Sequence, residues 1–190
     1  MGKTSPSKPE VLVVRASSQF ADATSGVVYI HSSPAALCPH IEWTLTSTLK
    51  APAKLRWTAQ PAADGQLRAT IDWYGPVGTA SRLARALRDW PVLYFEVTEN
   101  PSEGVDGERY CFVPGLGLWN GATSASGDVV VGEMRLRAIV EQARGAGRHT
   151  AADIAADIDR ALGTAWDDAL EPFRLGGEGA EVTWLRRDVG

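Results

Sequence analysis

His31, Cys38 and His40 stand close together in the sequence and carry side chains suited to catalysis or metal binding. Imidazole and thiolate groups are good zinc ligands, and a histidine can deprotonate a cysteine that then acts as a nucleophile. Cys38 lacks the second cysteine of a CxxC pair, which zinc sites commonly use. We therefore expect no metal, no cofactor and no catalytic residue, with a small enzyme built on these three residues as the alternative.

The segment 31–40 joins a predicted strand to a predicted helix and contains two serines and two prolines. Ser33 followed by Pro34 is typical of an N-cap and a first helical residue, and Pro39 marks an alternative start. The free amides and the dipole of a helix N-terminus attract anions. The sequence therefore predicts an anion-attracting loop that includes His31 and Ser32.

A second loop of this kind, 75–81, precedes the second predicted helix. We expect the strands before the two helices to be parallel neighbours, so that both loops emerge at the same end of the sheet. The sequence then predicts a single site for a small anion or phosphate-bearing ligand. Its expected residues are His31, Ser32, Ser33, Gly78, Thr79, Ser81 and Arg82. Ordinary helix capping is the alternative explanation of both loops.

Apolar periodicity predicts the elements that position these loops. Strands are expected at 27–31, 55–59, 67–73 and 91–98, with Asp64-Gly65 as the turn of a hairpin. Two apolar stripes at helical spacing lie between them. The stripes are Leu37, Ile41, Leu45 and Leu49, and Ala80, Leu83, Ala84 and Leu87. The order is β-α-β-β-α-β, which predicts a ferredoxin-like core with an antiparallel sheet.

The C-terminal half is predicted to extend this core. Turn signals separate short strands at 109–113, 116–119 and 129–131, which form a β-hairpin region. Two helices follow, and the second begins at Thr150 with a capping box to Asp153 and ends at Gly163. A final strand is expected at 182–186. An acidic group at Asp167, Asp168 and Glu171 favours a solvated helix end over a cation site.

The domain organisation follows from these patterns. Residues 26–190 are predicted to form a single α+β domain, with the ferredoxin-like core at 26–99 and the extension at 100–190. Residues 1–25 are predicted to be a flexible leader, or the product of a misassigned start codon, although 10–15 reads as a strand. The polar outer face of the core sheet, which includes Tyr29, Tyr94 and Glu96, is expected to be covered by the C-terminal half or by a second subunit.

Composition excludes several classes of protein. The 190 residues carry a formal charge of −4, so we expect no nucleic-acid partner, because phosphate binding needs a surplus of Lys and Arg. Apolar runs are too short to cross a membrane. The absence of a signal peptide and the presence of only two cysteines predict a cytoplasmic protein with reduced thiols.

Four stretches of the sequence carry a resemblance to a known family. They are GVVYIHSSPAALCPHIEW (26–43), GPVGTASRLARALRDW (75–90), LYFEVTENPSEGVDGERY (93–110) and WDDALEPFRLGGEGAEVTWL (166–185). The chain resembles a family of actinobacterial proteins classed as a domain of unknown function, and the likeness covers nearly everything after residue 25. The resemblance implies no activity and supports a leader or misplaced start.

The function expected from the sequence is a non-catalytic binding or regulatory module with a site for a small anionic metabolite. The alternatives are a small enzyme that uses Cys38, His31 or His40, and a scaffold that binds a protein partner or a second copy through its outer sheet face.

Overall fold

The computed structural model describes residues 23–145 and 150–175, and an antiparallel sheet of seven strands crosses this part of the chain. The strands are β1 (Ala23–Pro34), β2 (Thr58–Ala59), β3 (Gln66–Pro76), β4 (Tyr94–Glu99), β5 (Gly107–Val113), β6 (Gly117–Thr123) and β7 (Val129–Val130). Their order is β2-β3-β1-β4-β5-β6-β7. The helices are α1 (Cys38–Leu49), α2 (Thr79–Leu87), α3 (Glu133–Gly145), α4 (Ala151–Leu162) and α5 (Thr164–Leu175). This content confirms the predicted α+β class.

The inner face of the sheet, which carries Val28, Ile30 and Phe95, packs against α1 and α2. α2 buries every residue of its predicted stripe, because positions three and four apart share one side of a helix. In α1 the buried stripe residues are Ile41 and Leu45. These side chains form the larger of two hydrophobic cores.

β1 and β3 are neighbours, but they run antiparallel, so the prediction of parallel neighbours is wrong. Ala23 pairs with Pro76, and Pro34 pairs with Gln66. The reason is the pairing of β2 with β3. The two strands are antiparallel, so the chain changes direction between them, and β3 runs opposite to β1. The loop that follows β1 and the loop that follows β3 therefore leave the sheet at opposite ends.

α5 covers the part of the outer face formed by β1, β4 and β5, which confirms in part the expectation that the C-terminal half covers it. Thr70 and Asp72 on the same face of β3 are exposed. Leu170 packs in a second core with Cys111, Val113 and Trp119. The rings of Tyr94 and Phe173 lie 4.6 Å apart. The acidic group was expected at a solvated helix end, whereas the structure places its three residues inside α5.

Several element boundaries differ from the prediction. β1 spans Ala23–Pro34, which is longer at both ends than the strand predicted at 27–31. β2 is limited to Thr58–Ala59, because the Leu55 amide and Trp57 Nε1 instead donate to Glu42 Oε1 of α1. The capping box of Thr150 and Asp153 at the start of α4 is confirmed. The strands predicted at 10–15 and 182–186 lie outside the described residues.

A helix suited to spanning a lipid bilayer, by length and apolar character, was not found in the described part of the chain.

Candidate functional site

The seven residues predicted to bind an anion fall into two groups at opposite ends of the sheet. His31, Ser32 and Ser33 belong to the last part of β1, and Ser33 is fully buried. Gly78, Thr79, Ser81 and Arg82 lie at the start of α2. Because β1 and β3 are antiparallel, the two groups do not form one site.

The first helix begins at the alternative position. Pro39 lies in the first turn of α1, and Leu37 is its N-cap. Ser33 does not cap the helix, because its Oγ donates to the carbonyl of Pro34 (3.1 Å). Ser32 Oγ donates to Gln66 Oε1 on β3 (3.4 Å). Both serines therefore satisfy local hydrogen bonds inside the fold.

The second helix N-terminus does attract an anion, and the anion is the carboxylate of Glu99. The backbone amide of Gly78 donates to Glu99 Oε1 (2.7 Å), and that of Ala80 donates to Oε2 (2.8 Å). Glu99 is only 5% exposed. The free amides of a helix start are the reason for this contact. Capping by the chain's own side chain thus explains this loop.

Thr79 and Arg82 support the same turn. Thr79 Oγ1 donates to the carbonyl of Pro76 (2.6 Å) and accepts from Arg82 Nη2 (2.6 Å). Thr79 is buried, whereas Arg82 is exposed. These bonds tie the end of β3 to the first turn of α2.

A largely buried group of ionisable residues lies beneath α5 on the outer face, and we call it the Glu96 cluster. Its members are His31, Glu96, Arg109, Asp167 and Arg174. Glu96 Oε1 accepts from Arg109 Nε (2.9 Å) and Nη2 (2.6 Å). Arg174 Nη2 donates to Glu96 Oε1 (2.8 Å), and its Nε donates to Oε2 (3.0 Å). His31 Nε2 lies 2.6 Å from Oε2.

Asp167 completes the cluster from α5. Its carboxylate accepts from both Arg109 and Arg174, the latter at 2.9 Å. Glu171 approaches Arg174 at 3.4 Å. Asp167 therefore belongs to a buried ion-pair network instead of a solvated helix end. No group of three or more His, Cys, Asp and Glu side chains able to hold a metal ion occurs among the described residues.

Glu96 and Arg109 each stabilise the ionised form of the other. Burial disfavours the ionised form of Glu96, but the hydrogen bond from His31 and the charges of His31, Arg109 and Arg174 hold its pKa well below the ordinary 4.5. Burial opposes ionisation of Arg109 as well, yet Glu96 and Asp167 raise its pKa. Glu96 is thus a fully engaged carboxylate at neutral pH, unsuited to accepting a proton in a reaction.

The thiols are equally unsuited to nucleophilic chemistry. Burial, followed by the charge of Glu96, raises the pKa of Cys111 well above its ordinary value. Burial also raises the pKa of Cys38, whose Sγ donates to the Pro34 carbonyl (3.8 Å). His40 packs against Trp90 instead, with ring centroids 5.6 Å apart. The three residues of the enzyme alternative therefore have separate partners.

The sequence interpretation missed Arg109 and Arg174, and it assigned Asp167 to a solvated helix end. A usable signal was present in α5, where Asp167, Leu170 and Arg174 recur at helical spacing and so share one side of the helix. Leu170 is buried in the second core, and the two charged residues join Glu96 beside it. In this chain, the charged residues on the same side of the helix as Leu170 are therefore the ones that join the buried ion-pair network.

The α3–α4 hairpin exposes several apolar side chains. α3 packs mainly against α4, and α4 packs against α5. Ile139 is the buried residue of α3, and α4 has none. Four apolar side chains of the hairpin are exposed: Met134 (78%), Leu136 (41%), Val140 (43%) and Ile158 (36%). Exposed apolar side chains grouped on one element are typical of interaction surfaces.

Comparison with known proteins identifies a family but no activity. A family model described as a protein of unknown function, DUF3145, matches residues 27–187. No match was found among curated proteins or among solved structures. No ligand, activity or catalytic residue is therefore carried over from a relative.

Proposed function

We propose a function for this chain, which belongs to the DUF3145 family of proteins of unknown function, from the geometry of its described residues. The chain is a non-catalytic module that binds a protein partner on the α3–α4 hairpin. The observation that carries this proposal is the exposure of Leu136 and Val140, one helical turn apart, on a helix that packs mainly against its hairpin partner.

The polar chemistry of the described residues supports a binding role over a catalytic one. The members of the Glu96 cluster bond to one another, and the α2 N-terminus is occupied by Glu99. A catalytic acid or base needs access to substrate and a pKa near the working pH. Glu96 is only 4% exposed and its pKa is well below the ordinary value, so it meets neither condition.

The scaffold for this module is a ferredoxin-like core. The strand order β2-β3-β1-β4 is antiparallel throughout, and α1 and α2 pack on one face of these strands. This arrangement of a βαββαβ unit is the split βαβ motif. The remaining strands and α5 extend the core, and the α3–α4 hairpin lies between β7 and α5 in the chain.

Affinity capture tests the proposal with two double variants. The hairpin variant Leu136→Lys/Val140→Lys replaces the exposed apolar pair with charge, and Val92→Lys/Leu116→Lys does the same at residues of similar exposure elsewhere. We expect mass spectrometry to identify proteins retained by the parent chain and by the control but lost by the hairpin variant. An identical set of captured proteins for all three chains would refute the proposal.

A second candidate function keeps part of the predicted anion site. A cleft of about 400 Å³ lies between the end of α1 and the start of α2, and Lys50 and Arg82 line it with Ser47 and Thr79. Two cations favour an anion, although the carbonyl end of α1 opposes one. Thermal-shift measurements with inorganic phosphate test this candidate. We expect phosphate to stabilise the parent chain and to have less effect on Arg82→Gln, while no shift in the parent would eliminate the cleft.

A further inference from the structure

We infer that a second copy of this chain docks on α3, with the two α3 helices antiparallel about a two-fold axis. The inference rests on the proposed function, because it names the partner of the same hairpin. It commits to a homodimer whose interface is isologous, so that the same surface of α3 is used by both copies.

One face of α3 forms the proposed interface. Its residues follow helical spacing and line one shallow depression of about 320 Å³: Glu133, Leu136, Arg137, Val140, Glu141 and Arg144. Leu136 and Val140 lie beside the buried Ile139. The exposed apolar surface of this face is therefore continuous with the apolar side chain that α3 buries. A partner would therefore bury apolar surface that solvent now contacts.

The order of charges on this face is self-complementary. From the N-terminal end it reads Glu133, Arg137, Glu141, Arg144. When two such helices are antiparallel and centred near residue 138, Glu133 of one copy lies opposite Arg144 of the other. Arg137 then lies opposite Glu141 of the other copy, and Leu136 opposite Val140. All four charged residues thus meet a charge of opposite sign, and the helix dipoles are antiparallel as well.

A parallel arrangement in register would instead place every charge against its own copy. Like charges across an interface are unfavourable, so this pattern selects the antiparallel arrangement. The face contains two acids and two bases, and this balance does not suit an anionic lipid surface, which attracts a surplus of Lys and Arg.

The charged side chains are free to change partners. In the single chain Arg137 pairs with Glu133 and Arg144 pairs with Glu141, at 2.5 Å and 3.0 Å. The four side chains are about 70% exposed. Exposed pairs within one helix are weak, so exchanging them for pairs between copies costs little.

Charge-swapped variants test the inference by analytical ultracentrifugation of the full chain. Glu133→Arg/Glu141→Arg makes the face wholly basic, and Arg137→Glu/Arg144→Glu makes it wholly acidic. We expect the parent chain to sediment as a dimer and each variant alone to show a dimer dissociation constant raised by about tenfold or more. An equimolar mixture of the two variants should restore the dimer, because the faces are then complementary.

The outcomes separate this inference from the proposed function. A parent chain that stays monomeric at its highest soluble concentration, or a mixture that does not restore the dimer, overturns the inference. If the parent is monomeric while Leu136→Lys/Val140→Lys still loses a captured protein, the hairpin binds a different protein and the proposed function stands. If the parent is monomeric and capture is unchanged as well, both fail.

Discussion

Glu96→Gln is expected to lower the free energy of unfolding by about 3–5 kcal/mol at neutral pH, the usual cost of removing one partner from a buried ion-pair network. The substitution keeps the size of the side chain but leaves two buried cations, Arg109 and Arg174, with Asp167 as the cluster's remaining carboxylate. Their side chains are only 1% and 4% exposed, so water cannot replace the lost contacts. Urea denaturation followed by circular dichroism measures the loss. Glu103→Gln, in the exposed segment between β4 and β5, is the matched control, and we expect no measurable change from it.

The pH dependence of the same variant separates a charge effect from a packing effect. The pKa of Glu96 is well below 4.5 in the folded chain, so the unfolded chain binds this proton more readily than the folded chain. Its stabilisation is fully present above 4.5 and is lost as the pH falls through the folded pKa. The difference between the parent and Glu96→Gln should therefore narrow in acid. A difference that stays constant from neutral pH into acid would contradict an ionised Glu96.

The features that could be predicted from the sequence are those that depend on neighbouring residues. The stripe from Ala80 to Leu87 defines a helix side through its own spacing, and the structure buries it. The capping box at Thr150 and the glycine end at Gly163 depend on a few adjacent residues, and both are confirmed. Such local patterns predict structure well because the residues that contact or hydrogen-bond one another lie only a few positions apart.

The features that sequence reasoning missed depend on residues far apart in the chain. Glu96 meets Arg109 across 13 positions and Arg174 across 78 positions, so no local spacing links them. The same applies to Glu99, which caps a helix that begins about 20 positions earlier. The direction of β3 is decided by the reversal between β2 and β3, and the predicted anion site failed because it assumed the opposite direction.

The anion prediction was nevertheless right about one physical property. The start of α2 does attract a negative charge, and Glu99 supplies it from within the chain. The free backbone amides at a predicted helix N-terminus need a hydrogen-bond acceptor. Whether a ligand or a side chain of the same chain supplies that acceptor depends on the fold. Where a strand that carries an inward-facing acid ends beside the helix, internal capping is the simpler outcome.

Gly26→Ala is expected to lower the free energy of unfolding by about 4 kcal/mol, at the upper end of the range for single substitutions. Gly26 lies in the central strand β1, where it pairs with Trp73 on one side and Glu99 on the other. A methyl group at this position would overlap the carbonyl oxygen of Thr98 and would lie 2.6 Å from Trp73 Cζ2. Because the first of these atoms belongs to the backbone, β1 and β4 must separate to make room.

Gly132→Ala is the matched control, because a methyl group there has no atom within 4 Å. Its expected effect is a loss of less than about 1 kcal/mol, because Gly132 precedes α3 and accepts from the amides of Arg135 and Leu136, a position where alanine is less favourable than glycine. Thermal and urea denaturation of both variants measure the contrast. Equal stabilities of Gly26→Ala and Gly132→Ala would mean that β1 and β4 do not approach as closely as the register of Gly26 with Glu99 requires. A large loss in Gly26→Ala alone would instead support that close approach of two central strands.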